Sequence, residues 1–289
     1  MWFRLNLYLL VTCLPIMSYA QGFYPDIPDS ITGQQARASY MALHFWDKAD
    51  FSDTIFLKEP KTILDYIFLL QFLPSEVATE SLKTTFNMLP SHSSNRQLMF
   101  FWLDRYLHDS RSPFYDDNLY LTVLDVIMAS AENEVYTKEL QSLIALVQRN
   151  RVGCTAEDFS FVCKNGHAAQ LFDIETPLLL LIFNSPDCSL CHSLENLISG
   201  NDTIQRLISN QQLKVLAICP IADYDSWISH EYPNNWICGY DKNMAVIEQQ
   251  LYEIQRFPSI YLLDCDKNVI LKESDYKGLT YRLRSLHPE

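Results

Sequence analysis

No stretch of this chain is long and apolar enough to span a bilayer. The longest apolar run near the N-terminus, Leu7 to Met17, falls short of the roughly 20 residues a spanning helix needs. Positive charge is also scarce: 22 Lys and Arg face 35 Asp and Glu, for a formal net charge of −13. An acidic surface of that size argues against nucleic acid and against anionic membrane surfaces as partners. Between Cys13 and Cys154 there is no cysteine at all, so any thiol chemistry belongs to the second half of the chain. One short-spaced pair, Cys188 and Cys191, stands alone, which excludes a four-cysteine zinc site. The seven cysteines from Cys154 to Cys265 are odd in number and widely spread, unlike a structural disulfide framework. The first half has no His or carboxylate cluster at metal-ligand spacing, because His44, His92 and His108 are scattered. Each reads as a surface or ordinary core histidine. No metal and no cofactor is expected.

The N-terminus itself reads as an export signal. Arg4 supplies a positive start, Leu7 to Met17 an apolar middle, and Ser18 and Ala20 the small residues of a cleavage site before Gln21. A lipid anchor on Cys13 is the weaker alternative, because Thr12 is bulky for the position before such a cysteine. Removal of residues 1–20 leaves about 269 residues, enough for two domains.

Residues 21–150 read as helical. Apolar residues at i, i+3, i+4 and i+7 recur through Ala36–Asp47, through a helix opened by Pro60, and through one capped by Ser75. A helix capped by Ser93 or Ser94 follows, then Leu119–Ser130 after Asp116 or Asp117, then Val135–Arg149. The expected architecture here is an all-α helical bundle. Its aromatic residues Trp46, Phe101, Trp102, Phe114 and Tyr115 read as core rather than as a binding groove.

Residues 151–289 change character. Phe159–Cys163 and Gln170–Phe172, with Asn165-Gly166 between them, read as a hairpin. Leu178–Phe183 and Leu213–Cys219 are continuous apolar runs, the mark of strands buried on both faces. Helical patterns cover Ser193–Leu207, with a break near Gly200, then Asp223–His230 and Met244–Leu251. Trp236–Cys238, Phe257–Leu263 and Val269–Lys272 complete the strands. Such alternation predicts a central sheet covered on both faces, giving a fold class of α+α/β for the whole chain.

The chemistry concentrates at Cys188-Ser189-Leu190-Cys191. A buried strand, a turn (Asn184-Ser185-Pro186-Asp187) and a C-x-x-C at a helix start form the arrangement of a dithiol redox site. At a helix N-terminus the free N–H groups and the helix dipole favour a thiolate. Pro258 opens an apolar strand about seventy residues later, within Arg256-Phe257-Pro258-Ser259. Cys188-x-x-Cys191-His192 also matches a haem-attachment pattern, but its place between a buried strand and a Pro-initiated strand argues against haem. His192 then reads as a solvent-facing helix residue. Cys219 and Cys238 read as buried, inert small hydrophobes, although a disulfide relay stays open for them; Cys154, Cys163 and Cys265 read as inert and buried. Asp264-x-Asp266-x-Asn268 starts like a calcium loop, lacks its glycine and terminal Glu, and reads as a hairpin turn.

On these residues the chain resembles a known class. Ala156-Glu157-Asp158-Phe159, Phe183 to Cys191 and Phe257 to Asp264 are similar to the exported thioredoxin-like domains of periplasmic (TlpA-type) oxidoreductases. Tyr40 to Asp53, Ser112-Pro113-Phe114 and Leu119-Tyr120 resemble an uncharacterised helical domain that precedes such domains in exported proteins of Gram-negative bacteria. The resemblance implies a cis-proline at Pro258, packed against the dithiol. It implies an exported thiol–disulfide oxidoreductase, more a reductase than an oxidase of protein disulfides, with Cys188 and Cys191 catalytic. Phe257, Pro258 and Ser259 would form the substrate groove. Partners would be protein thiols or disulfides and an upstream electron donor. The alternative is a non-catalytic exported binding or scaffold protein on the same fold. Two departures bear on rate. Asp187 stands where the family often has Trp, and its carboxylate opposes negative charge beside Cys188. The strand before the site also lacks the buried carboxylate that many thioredoxins use to move a proton at the second cysteine.

Overall fold

A computed structural model describes residues 24–51, 57, 60–90, 93–131, 134–221 and 224–286. The expected signal segment, Cys13, His92 and Asp223 lie outside the described residues. The chain divides into two compact units, residues 1–107 with 118–131, and residues 108–117 with 132–289.

The first unit is helical. Helices α1 (Gln34–Leu43), α2 (Pro60–Gln71), α3 (Ser75–Met88) and α4 (Ser94–Leu107) are followed by α5 (Asp117–Met128), whose first residue belongs to the second unit. Pro60 opens α2 as expected. Ser93 caps α4 by accepting from the Arg96 backbone N–H at 3.1 Å, whereas Ser75 lies one residue inside α3 and Pro74 takes the cap position. A buried hydroxyl chain ties three helices together. The Tyr66 hydroxyl lies 2.8 Å from that of Ser81 and 2.9 Å from that of Thr85, and Ser81 donates to the Ala42 carbonyl at 2.7 Å. These pairings satisfy polar atoms that would otherwise be costly to bury. Trp46 joins this core, 3% exposed, but Phe101 does not: its ring is 49% exposed.

The second unit contains α6 (Glu134–Gln148) and is built on a seven-stranded mixed sheet. Its strands are β1 (Ser160–Cys163), β2 (Ala168–Gln170), β3 (Leu178–Phe183), β4 (Leu213–Cys219), β5 (Ile237–Tyr240), β6 (Ser259–Asp264) and β7 (Val269–Leu271), in the order β2-β1-β5-β4-β3-β6-β7. β4 runs parallel to both β3 and β5, while β6 lies antiparallel to β3. Every residue of β3 is buried, which is why its sequence shows no alternation. Its odd and even residues feed two separate cores. Leu179, Leu181 and Phe183 pack with Phe159, Phe161, Tyr252 and Val246 of the short helix α10 (Ala245–Glu248). Leu178, Leu180 and Ile182 pack under α7 (Ser189–Ser199), α8 (Asp202–Ser209) and α11 (Tyr276–Leu286) through Leu194, Ile204 and Leu279. A last short helix, α9 (Tyr224–Ser229), buries Trp227 against Cys219 and Tyr240. The break expected near Gly200 separates α7 from α8, where Asn201 caps α8 by accepting from Ile204 N–H at 3.0 Å. Helix α11 carries no expectation from the sequence, although Tyr276, Leu279 and Leu283 stand at i, i+3 and i+7. Among the described residues, no helix is long and apolar enough to cross a membrane.

Candidate functional site

The site forms where β3 hands over to α7. Asn184 to Asp187 turn the chain, and Cys188 takes the N-cap position of α7 in extended backbone conformation. Its Sγ accepts from the Cys191 backbone N–H at 3.2 Å, so the sulfur occupies the place an Asp or Ser oxygen fills at an ordinary cap. Cys188 is half-buried, Cys191 is buried one turn on, and both are free thiols. Burial, above all, pushes the Cys191 thiol well above its ordinary range, and the neighbouring Cys188 adds to it. Leu190, between them, is 63% exposed.

Phe257, next to Pro258, reaches this turn from 69 residues along the chain. The Cys188 Sγ lies 3.7 Å from the Phe257 carbonyl oxygen, and the Phe257–Pro258 peptide bond is cis. Ser259 begins β6 opposite Phe183, the last residue of β3. Strand pairing therefore fixes the register that sets Phe257 beside Cys188. Phe257 and Pro258 are half-buried, with Phe257 packed on the core, and Ser259 is 1% exposed.

A buried carboxylate does sit beside the dithiol, but it comes from the helix rather than from the strand. Glu195 is four residues after Cys191 and thus on the same helical face, 8% exposed. Its oxygens lie 3.2 and 3.3 Å from His230 Nε2, and Asn184 Nδ2 donates to it at 3.3 Å. The Glu195 charge adds to the forces that hold the Cys191 proton in place. Helical spacing from Cys191 was the signal in the sequence that could have found it. His192 is exposed and donates from Nε2 to the Pro186 carbonyl at 2.5 Å, with its ring 5.0 Å from that of His230.

The Pro258 segment is held from behind by residues 108–117 of the same unit. Glu253 is 4% exposed; its Oε1 lies 2.5 Å from His108 Nε2, and its Oε2 lies 3.0 Å from Lys272 Nζ. Lys272 also meets Asp117 Oδ2 at 3.0 Å and donates to the Val147 carbonyl at 3.1 Å. Gln255 Nε2 donates to the His108 carbonyl at 2.7 Å. The Arg256 guanidinium binds Asp109 Oδ1 at 3.2 Å and the Ser110 hydroxyl. His108, half-buried, thus links residues 108–117 to the buried Glu253 carboxyl. Burial alone would raise the Glu253 carboxyl; the His108 hydrogen bond and the Lys272 charge outweigh it and hold it down to about 2.

The remaining thiols divide. Cys219 is buried, and Cys238 is half-buried, with burial pushing its thiol up to about 12. Burial also raises half-buried Cys163. Cys154 and Cys265 differ from the expectation of burial: both are exposed, because both fall in turns. The Asp264 carboxylate folds inward onto its own turn, accepting from Asp266 N–H at 2.9 Å and Asn268 N–H at 2.7 Å. Among the described residues, no group of three His, Cys, Asp or Glu could hold a metal ion.

Comparison with known proteins bears on both halves. Residues 12–150 match the family described as Domain of unknown function (DUF5106). A thioredoxin-like protein from Bacteroides caccae is similar over 91% of this chain and 98% of its own, at 29% identity and a TM-score of 0.79. A conserved protein of unknown function from Bacteroides fragilis is 33% identical over 46% of this chain and 98% of its own, with a TM-score of 0.45. A search of curated proteins finds no match. The chain thus joins a helical N-terminal region that matches DUF5106 to a mixed sheet with helices, and as a whole it is similar to a thioredoxin-like protein.

Proposed function

We propose that the protein is an exported thiol–disulfide oxidoreductase that reduces protein disulfides. One observation carries the reading: the Cys188 sulfur caps a helix while facing the Phe257 carbonyl, so the two segments singled out in the sequence meet at one point. Backbone N–H groups at a helix start stabilise negative sulfur. The exposed Leu190 and the half-buried Phe257 and Pro258 offer an apolar rim for a peptide, and Ser259 anchors it from beneath.

The reaction follows from the positions. The Cys188 thiolate attacks one sulfur of a substrate disulfide, the S–S bond breaks, and one substrate thiolate leaves. Cys191 then loses its proton to Glu195, which His230 steadies, and attacks Cys188 Sγ. The bond between Cys188 and the substrate sulfur breaks, that sulfur leaves as a thiolate and takes up the proton held by Glu195, and Cys188–Cys191 is now a disulfide. A dithiol electron donor returns it to the reduced state. Residues 1–20 would direct export, residues 21–150 would form a helical domain, and residues 151–289 the redox domain; the periplasm is the expected compartment.

Alkylation of the reduced protein tests the reading. Cys188 should be modified much faster than Cys191, and Cys191→Ser should trap substrates as mixed disulfides. A Cys188 that reacts no faster than exposed Cys154, with no adducts, sinks the proposal. The reduction potential against glutathione decides between reductase and oxidase.

A further inference from the structure

Glu273 is a buried acid that the reaction above does not use. It is 3% exposed, and its backbone φ of 45° lies in the left-handed region, which is unfavourable for a residue with a Cβ. Among the described residues its carboxyl is hydrogen-bonded to hydroxyls, those of Ser259 and, at 3.5 Å, Ser110. The neighbouring cations are committed elsewhere, Lys272 to Asp117 and Glu253, and Arg256 to Asp109. The other titratable groups that face it are Glu253, an ionised acid, and the phenols of Tyr115 and Tyr261, both pushed far up by burial and therefore neutral. A buried carboxyl with an acid beside it holds its proton more firmly than an exposed one, although hydroxyls that donate to it favour the ionised form. Burial is the largest influence and raises it, the Ser259 hydrogen bond opposes, Glu253 raises it further, and the charges of Arg256 and Lys272 oppose; the outcome is about 7.

We propose that Glu273 is a positioning residue for the groove, acting through Ser259 on the Phe257–Pro258 segment that faces Cys188. The proposal rests on the oxidoreductase reading above. The contacts are continuous: the Glu273 carboxyl holds the Ser259 hydroxyl, Ser259 follows Pro258, and the Phe257 carbonyl lies 3.7 Å from Cys188 Sγ. Neutral Glu273 anchors Ser259 without placing charge beneath the groove. On ionisation its proton passes to solvent. The new negative charge repels Glu253, competes with Asp109 for Arg256, and opposes negative charge building on Cys188. The groove then works best with Glu273 protonated.

The test is the pH profile of Cys188 alkylation by iodoacetamide on the full, reduced chain, with peptide mass spectrometry to separate Cys188 from the other thiols. Wild type and Glu273→Gln should coincide below about pH 6, where Glu273 is protonated. Above about pH 8 the Gln variant should react roughly two- to fivefold faster. Ser259→Ala removes the contact through which Glu273 acts, so the pH-dependent departure should shrink or vanish in that variant. Superimposed profiles, or an offset by the same factor at every pH, overturn the proposal, since a purely structural role gives no pH-dependent term. Should Glu273→Gln fail to fold by circular dichroism, a Ser259→Ala profile that superimposes on that of wild type overturns it instead. If wild-type Cys188 reacts no faster than Cys154, the oxidoreductase reading and the positioning role fall together. If Cys188 is fast and the profiles superimpose, the positioning role alone falls.

Discussion

The Cys188–Cys191 turn takes its character from the backbone, whereas the Pro258 segment takes its character from buried charge. At the turn, a helix end supplies the N–H that meets the Cys188 sulfur, and nearly everything involved is local in sequence. Behind Pro258, Glu253 and Glu273 are both almost fully buried, yet they titrate in opposite directions, down to about 2 and up to about 7. Burial raises both. Glu253 has His108 and Lys272 against it; Glu273 has the hydroxyls of Ser259 and Ser110. Partners, not depth, decide which form of a buried acid survives.

The largest test of that contrast is Lys272→Met. It removes the cation that buried Glu253 and half-buried Asp117 share, with a cost of about 3–5 kcal/mol expected in urea unfolding at neutral pH. Small loss would mean the charges relax to solvent. Next comes Glu195→Gln on the backbone-built side. Removing the proton acceptor beside Cys191 should lengthen the life of a trapped mixed disulfide by about 100-fold, measured by quenched-flow release, while the alkylation rate of Cys188 changes little.

Glu273→Gln has a stability signature of its own. A carboxyl raised in the folded state stabilises fully below its unfolded value near 4.5, and that contribution is lost as pH rises through about 7. The Gln variant should flatten this decline and exceed wild type by roughly 2 kcal/mol at alkaline pH, read from urea midpoints across the pH range. Glu253 has the reverse sign: its contribution holds above about 4.5 and is lost as pH falls toward about 2. The smallest effect belongs to exposed Asp187. Asp187→Asn should leave stability within about 0.5 kcal/mol and speed Cys188 alkylation roughly twofold at low salt, an advantage that high salt removes.

Much of the sheet was legible because burial on both faces writes itself as an apolar run: β3 and β4 begin and end where Leu178–Phe183 and Leu213–Cys219 do. The cysteine turn was legible because strand, turn and helix are adjacent in sequence. Helix α11 was legible in principle too, through Tyr276, Leu279 and Leu283 at i, i+3 and i+7. Phe101 was misjudged because an aromatic at helical spacing does not declare which face meets solvent. Glu195 was visible in principle through its spacing from Cys191. Glu273 and His108 were not, because their partners lie far along the chain.

The amino-acid order alone determined the helical first region, the apolar strands and a dithiol at a helix start. Hydrophobic periodicity and helix capping act over a few residues, so a linear reading captures them. Tertiary structure alone decided that residues 108–117 brace the Phe257–Pro258 segment from behind. It also decided that two neighbouring buried acids carry opposite tendencies. Charge and desolvation act through space, and which groups share that space is set by strand register and packing.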